Sequence, residues 1–359
     1  MRTGIGVRFM SSGDPHGPEI EEFLRREFPQ TAAKAESVME AVVETIIGSR
    51  QVRLGAAPNP ESLVAIREVA RNYIRENRPV PILIAAGPKK PLSTSSVDVA
   101  ELSALRILAQ LQDAVVAHYA PGLEIRMRIE DLTGFALEGV GIAATAERYI
   151  ADLEAMVSIL GYAGFLTPVR ERALVGLDEF VGTVAEIHEL MLPYLAGTDG
   201  NESTTAGWAI APLMGVPITR EQRDFLLGRY AKLYPEAGTA AHLEAMSRYM
   251  SCAVARRRLK ASGAAPSWNH GKIDISFAPP VPGTPKELVS TRVYYRTVPL
   301  AHSKQHIPFW RAKGILKVRD DGPRMSFAPW DSTDVMDGSV EFKKGEESVV
   351  VKADYVVES

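Results

Sequence analysis

One cysteine, Cys252, in 359 residues rules out an intrachain disulfide and fits a reducing compartment. No apolar run approaches the roughly 20 residues that a membrane-spanning helix needs. The first residues, MRTGIGVRFMSSGDPHG, are too poor in apolar side chains for a secretory leader. A cytoplasmic location is the expectation. Neither sign of charge prevails: the formal net charge is -3, so no broad basic field points to nucleic acid or a membrane surface as partner. The Walker sequence, GxGxxG and HExxH are all missing, which removes the common nucleotide and zinc-protease signatures. What remains is ordinary for a globular chain, with 46% hydrophobic and 24% charged residues, enough for a sizeable core.

The most informative stretch is 81–131. Residues 81–86 (PILIAA) have the length and apolar content of a buried strand, broken at Gly87-Pro88. Lys89, Lys90, Ser93, Thr94, Ser95 and Ser96 then lead into a helical run from about Val97 to Tyr119, with Ser95 or Ser96 as its cap and Asp98 and Glu101 in its first turns. Pro121-Gly122 stops that run. Residues 123–129 (LEIRMRI) alternate apolar and polar, the period of a second strand.

Strand, helix and strand in this order predict a parallel pair, with ligands at the carboxyl edge. The loops 87–96 and 130–135 occupy that edge. Free backbone N–H groups at a helix start, preceded by two lysines and several hydroxyls, suit a phosphate or carboxylate. The alternative is that Lys89 and Lys90 are solvated loop charges and the serines only caps.

These same residues carry a family resemblance. Gly87-Pro88-Lys89-Lys90-Pro91, Val97-Asp98-Val99-Ala100-Glu101, Tyr119-Ala120-Pro121-Gly122 and Glu130-Asp131 resemble, in order and spacing, the isonitrile synthases of the pyoverdine/dityrosine biosynthesis family. Segment 307–331 (IPFWRAKGILKVRDDGPRMSFAPWD) is similar to that family's closing strand pair. The likeness covers about a third of the chain. Three positions depart from it: Lys-Lys-Pro-Leu-Ser stands for a longer Lys-Ser-Pro-Asn phrase, Asp131-Leu132 for Asp-Gly, and Asp331 for a histidine. An aspartate has a different proton affinity and reach from a histidine, so the same reaction does not follow automatically.

The resemblance implies condensation of an amino group, on an amino acid or other amine, with the carbonyl of a pentulose phosphate such as ribulose 5-phosphate. The sugar's remainder is then lost to leave an isocyanide carbon. It implies no metal or organic cofactor. Lys89, Lys90, Ser95 and Ser96 would hold the phosphate; Glu101, Glu130, Asp131, His302 and Asp331 are the acid and base candidates. Arg292, Arg296, Lys304 or Lys313 would take a carboxylate by charge-assisted hydrogen bonds, and Trp330 is a further substrate-binding candidate. The alternatives are a transferase or hydrolase acting on another phosphorylated metabolite, and a non-catalytic ligand-binding protein. The expected partners are small molecules, with no nucleic acid and no membrane; a homodimer is compatible with the sequence.

The expected fold class is α/β, Rossmann-like, with a mostly parallel central sheet. Residues 1–79 form an N-terminal helical segment with helices at 18–28, 32–47 and 61–76, and 80–142 form the α/β core unit. In that unit 134–141 reads as a connection. Residues 143–265 form a helical portion, with helices at 144–160, from Thr167-Pro168, and at 177–195, 220–234 and 239–260. The stretch 197–217 reads as a lid or as a plain solvated loop.

Cys252, near Met246, Tyr249 and Met250, suits packing better than nucleophilic attack. Of Arg256, Arg257 and Arg258, three consecutive directions on a helix, one can reach an anion in the site while the others are solvated. Residues 266–359 form a strand-rich part that extends the sheet and ends in a hairpin around 343–346. His302 and His306 lie between prolines with no third ligand in view, which favours anion recognition, proton transfer or a surface position over metal binding.

Overall fold

In a computed structural model, the described residues are 37–48, 57–86, 97–138, 143–173, 175–196, 238–264, 271–277, 291–295, 298–299, 306–307, 309, 312–319, 322–329, 339–344, 347–352, 354–357 and isolated positions between 224 and 231. The helix read at 18–28 and the loop 197–217 lie outside them, as does most of the helix read at 220–234.

The chain opens with α1 (Val38–Ile47) and α2 (Pro60–Arg75). Ser37 caps α1 by accepting from the Glu40 N–H, and Asn59 caps α2 by accepting from the Ser62 N–H, with Pro60 at the first helical position. β1 (Val80–Ala86), α3 (Val99–Val116) and β2 (Leu123–Ile129) follow within three residues of the sequence expectation.

The cap of α3 differs. Asp98, not Ser95 or Ser96, is the N-cap: its side chain accepts from the Ala100 N–H, while Glu101 reaches back to the Asp98 N–H at 2.8 Å. This reciprocal capping box satisfies two helix-end donors, an arrangement worth about 1 kcal/mol in stability.

Two further expectations fail. Residues 131–138, read as loop and connection, form helix α4 (Asp131–Glu138), because Leu132 and Thr133 are buried and α4 packs on two later helices. Thr167-Pro168 starts no helix: β3 (Leu166–Arg170) pairs parallel with β2 from Ile125↔Leu166 to Ile129↔Arg170. A proline is tolerated there because β3 is the edge of the sheet.

α5 (Ala143–Ile159) precedes β3; α6 (Leu177–Ala196) and α7 (Thr239–Ala261) follow it. β4 (Ile273–Ser276) and β5 (Arg292–Tyr294) then return to the sheet. Its order is β3-β2-β1-β4-β5 and every pairing is parallel. This is the Rossmann-like α/β fold, with the order reversing between β1 and β4.

The later strands do not all extend that sheet. β6 (Val298–Pro299) pairs with β7 (His306–Ile307). β8 (Ala312–Arg319) and β9 (Gly322–Pro329) form a hairpin, which a final strand joins alongside β8. β10 (Ser339–Lys344) and β11 (Glu347–Lys352) make the expected terminal hairpin, and β12 (Asp354–Val357), missed in the sequence, is the strand beside β8.

Register explains the alternation of β2. Ile82, Ile84 and Ala86 lie level with Ile125, Met127 and Ile129, and with Ile273 and Ile275 on the other side. This face is buried under α1, α2, α3 and α5 as one continuous core. Each fully buried isoleucine contributes about 1.5–3 kcal/mol. The other face carries the row Arg126, Leu83, Asp274 and Arg292. Parallel sheets are usually apolar on both faces, so a charged second face marks this one out. A second apolar cluster, from Leu132, Phe180, Ile187, Met191, Met246 and neighbours, joins α4, α6 and α7.

Candidate functional site at the carboxyl edge of the sheet

Glu130 follows β2 directly, and its N–H donates to the Ala86 carbonyl at the end of β1 at 3.2 Å. That bond fixes Glu130 beside the point from which 87–96 departs. Its Oε1 accepts from Arg128 Nη2 at 2.7 Å, and its side chain is 15% exposed. Burial alone would push this carboxyl up, but the charges of Arg256, Arg128 and Arg292 outweigh it and hold Glu130 below the ordinary glutamate range. Glu130 is therefore a standing carboxylate.

Asp131, the next residue, is pushed the other way. Its side chain is buried at the start of α4, where Oδ1 accepts from the Leu132 and Arg172 N–H groups at 3.1 and 3.2 Å. Its Oδ2 lies 3.3 Å from Arg172 Nε without hydrogen-bond geometry. Burial, reinforced by the nearby Glu171 charge, raises its carboxyl despite Arg172 and the two backbone bonds. The two consecutive carboxyls are thus shifted in opposite directions by their surroundings.

The cation that dominates this edge comes from α7. Arg256 turns inward, whereas Arg257 and Arg258 are exposed, as one of three consecutive helical directions should. Its Nε and Nη2 close on the two carboxylate oxygens of Glu171 at 2.5 and 2.6 Å, and Nη2 also meets Thr133 Oγ1. Its guanidinium carbon lies 5.5 Å from the centre of the Phe180 ring. Burial would lower its proton affinity, but Glu130 and Glu171 hold it protonated beyond even the usual arginine range. Arg172 makes a second bridge, from Asp131 to Glu147. Glu171, Thr133 and Arg172 carried no signal in the sequence, because only the ends of β3 and α4 bring them together.

Glu101 lies apart from this group. Its Oε2 accepts from the Asp98 N–H and its Oε1 from the Tyr149 hydroxyl at 3.1 Å, under the buried start of α3. Arg292 is on β5, with Nε donating to Asp274 Oδ2 at 2.7 Å across the charged sheet face. Lys313 is half-buried on β8, outside the five-stranded sheet. Lys89, Lys90, Ser95, Ser96, Arg296, His302, Lys304, Trp330 and Asp331 lie outside the described residues.

Cys252 is fully buried, and burial pushes its thiol up to about 12, which suits packing and not nucleophilic attack. A serine–histidine–glutamate chain links α6 to α7, with His188 Nδ1 2.8 Å from Ser247 Oγ and Nε2 2.9 Å from Glu244 Oε1. Ser247 has no exposed surface within its helix, so the chain acts as a clamp between helices. Among the described residues no group of three or more His, Cys, Asp or Glu is arranged to hold a metal, and no helix is long and apolar enough to cross a membrane.

Scanned against protein-family models the chain matches none, and no curated protein matches it in sequence. Its architecture is similar to the crystal structure of the PvcA (PA2254) protein from Pseudomonas aeruginosa, with a TM-score of 0.50 and 16% sequence identity. That likeness covers 89% of this chain and 100% of the other, and at this identity it is a distant likeness of fold.

Proposed function

We propose that this protein is an isonitrile-synthase-like enzyme of biosynthesis that condenses an amine with a pentulose phosphate of the ribulose 5-phosphate type. The observation that carries the reading is the placement of Glu130, a standing carboxylate, against the end of β1 where the strand order reverses. Ligands of open parallel sheets bind at that crevice. The motif resemblance of 87–131 and the likeness in fold to PvcA support it further.

In this reading Lys89 and Lys90, with Ser95 and Ser96, receive the phosphate. Glu130 accepts from the amine, and Asp131, His302 and Asp331 serve the proton transfers of imine formation. Condensation of the amine with the sugar carbonyl releases water, and departure of the remaining sugar carbons leaves the isocyanide carbon. Arg292, Arg296, Lys304, Lys313 and Trp330 surround the rest of the substrate. Glu101, with both oxygens engaged inside the protein, supports the start of α3.

The test is incubation of the purified protein with ribulose 5-phosphate and a panel of amino acids, followed by mass spectrometry of both. Joint consumption with appearance of an isocyanide is expected. Consumption of neither would retire the reading.

A further inference from the structure

Among the described residues, the buried apolar side chains fall into two clusters that share no member. The larger fills the sheet and the helices α1, α2, α3 and α5 laid on it, whereas the smaller lies among α4, α6 and α7. α6 and α7 pack chiefly on each other and on α4. Of the three, α4 makes the main approach to the sheet side, against α5 and the turn 171–173. A unit with an apolar core of its own, joined to its neighbour through polar groups, can move as one body.

The seam between the two units is polar. Within the helical unit, Arg256 on α7 is held by Thr133 on α4 and by the Phe180 ring on α6, 5.5 Å from its guanidinium carbon. Its bonds at 2.5 and 2.6 Å cross to Glu171, which directly follows β3 on the sheet side. Beside them the Arg172 N–H crosses to Asp131 Oδ1 at the start of α4. A buried ion pair makes a finely balanced latch, because separation loses the Coulomb attraction but returns both charges to water. Opening along this seam leaves each apolar cluster whole. The chain that returns from α7 to β4 passes through Gly263 and Gly271, both left-handed at φ +79° and +67° and with open space where a Cβ would stand. Hinges are a few residues at element ends that absorb such a rotation.

We propose that α4, α6 and α7 form a cap that swings as one body on the carboxyl edge of the sheet, with Arg256 and Glu171 as the latch that holds it shut. The five strands run parallel, so Asp131 after β2 and Glu171 after β3 stand at the same edge as Glu130. Release of the latch therefore uncovers the edge at which a ligand of this fold enters. The proposal deepens the condensation reading and rests on it only for what passes through the opening.

Electron–electron resonance distances between pairs of spin labels on the full chain test it without requiring turnover. In a Cys252→Ala background, exposed positions are replaced by cysteine and labelled: Arg71 on α2 with Ala185 on α6 spans the seam. Ala185 with Lys260 on α7 lies within the cap, and Arg71 with Asp113 on α3 within the sheet side. Glu171→Gln removes the charge across the seam, and circular dichroism and thermal unfolding verify that it is folded. It should raise the ratio of long to short seam-spanning distances about tenfold or more, while both internal pairs keep the parent distances.

The proposal is overturned if the seam-spanning distances in Glu171→Gln match the parent, or if the pair within the cap lengthens along with them, since the helices would then be melting and not swinging. Should Glu171→Gln not fold, Arg256→Lys, which keeps the charge and loses the paired bonds, takes its place and the same outcomes decide. A protein whose cap opens but which never consumes ribulose 5-phosphate loses the condensation reading and keeps the cap. One that turns over with unchanged distances keeps the reading and loses the cap.

Discussion

Arg256 and Glu171, 85 residues apart in sequence, meet through two parallel hydrogen bonds at 2.5 and 2.6 Å, with the Glu171 side chain only 1% exposed. The pair ties α7 to the end of β3 and thereby holds the helical cluster over the sheet's carboxyl edge. Arg256→Ala should destabilise the protein by about 3–5 kcal/mol, because it strands a buried carboxylate. Replacing both residues by methionine should recover most of that loss. Urea unfolding of the single and double variants measures both numbers, and a double variant as unstable as the single would refute the assignment.

Glu130 and Asp131 should shape the acid stability of the fold in opposite directions. The folded value of Glu130 lies below 4.5, so its stabilisation is complete above about that pH and is lost as pH falls through the folded value. Asp131 has a folded value above 3.8, so folding favours its protonated form, and stability falls as pH rises from 3.8 through the folded value. Relative to the parent, Glu130→Gln should improve toward acid and Asp131→Asn toward neutral pH. Unfolding free energies across the acid range would show parallel trends if either direction were wrong.

Gly122 precedes β2 at φ +65°, and an added Cβ would sit 2.5 Å from Gln112 Nε2 and 2.9 Å from Val116 Cγ2. The same Gln112 accepts from the Leu123 N–H at 2.8 Å, and the Gly122 carbonyl accepts from the Val80 N–H. Gly122→Ala should therefore cost about 1–3 kcal/mol through left-handed backbone strain and displacement of the Gln112 amide. Thermal unfolding reads this directly; a neutral result would mean that the turn has another conformation.

Cys252, buried and with its thiol pushed up to about 12, should resist alkylation in the folded protein at mildly alkaline pH. Iodoacetamide labelling followed by mass spectrometry should find modification only after denaturant is added. Rapid labelling of the native protein would show that α7 opens away from the second cluster.

Part of the site was legible before any fold was known. Glu130-Asp131 after an alternating strand already stood at a carboxyl edge, and one of the three consecutive arginines was expected to reach an anion in the site. Which of the three did so was not legible. Arg256 is selected by Glu171 and Thr133, which neither composition nor spacing connects to it. Asp98 displaced the serines as cap because its own side chain and that of Glu101 satisfy each other's backbone donors, a pairing that outweighs the preference for any single hydroxyl.

The sequence by itself determined the parallel unit from β1 to β2 and the terminal hairpin, since periods of 2 and 3.6 residues record which side of each element is buried. It also determined that β2 has a charged face, since Glu124, Arg126 and Arg128 alternate with its apolar residues. Only the tertiary structure decided that 166–170 is a strand and 131–138 a helix, because a short segment takes its conformation from the neighbours it pairs with or packs on. It alone brought Arg256 to Thr133 and Glu171, because a contact between groups so far apart in the chain is set by how the layers stack and leaves no periodic trace in it.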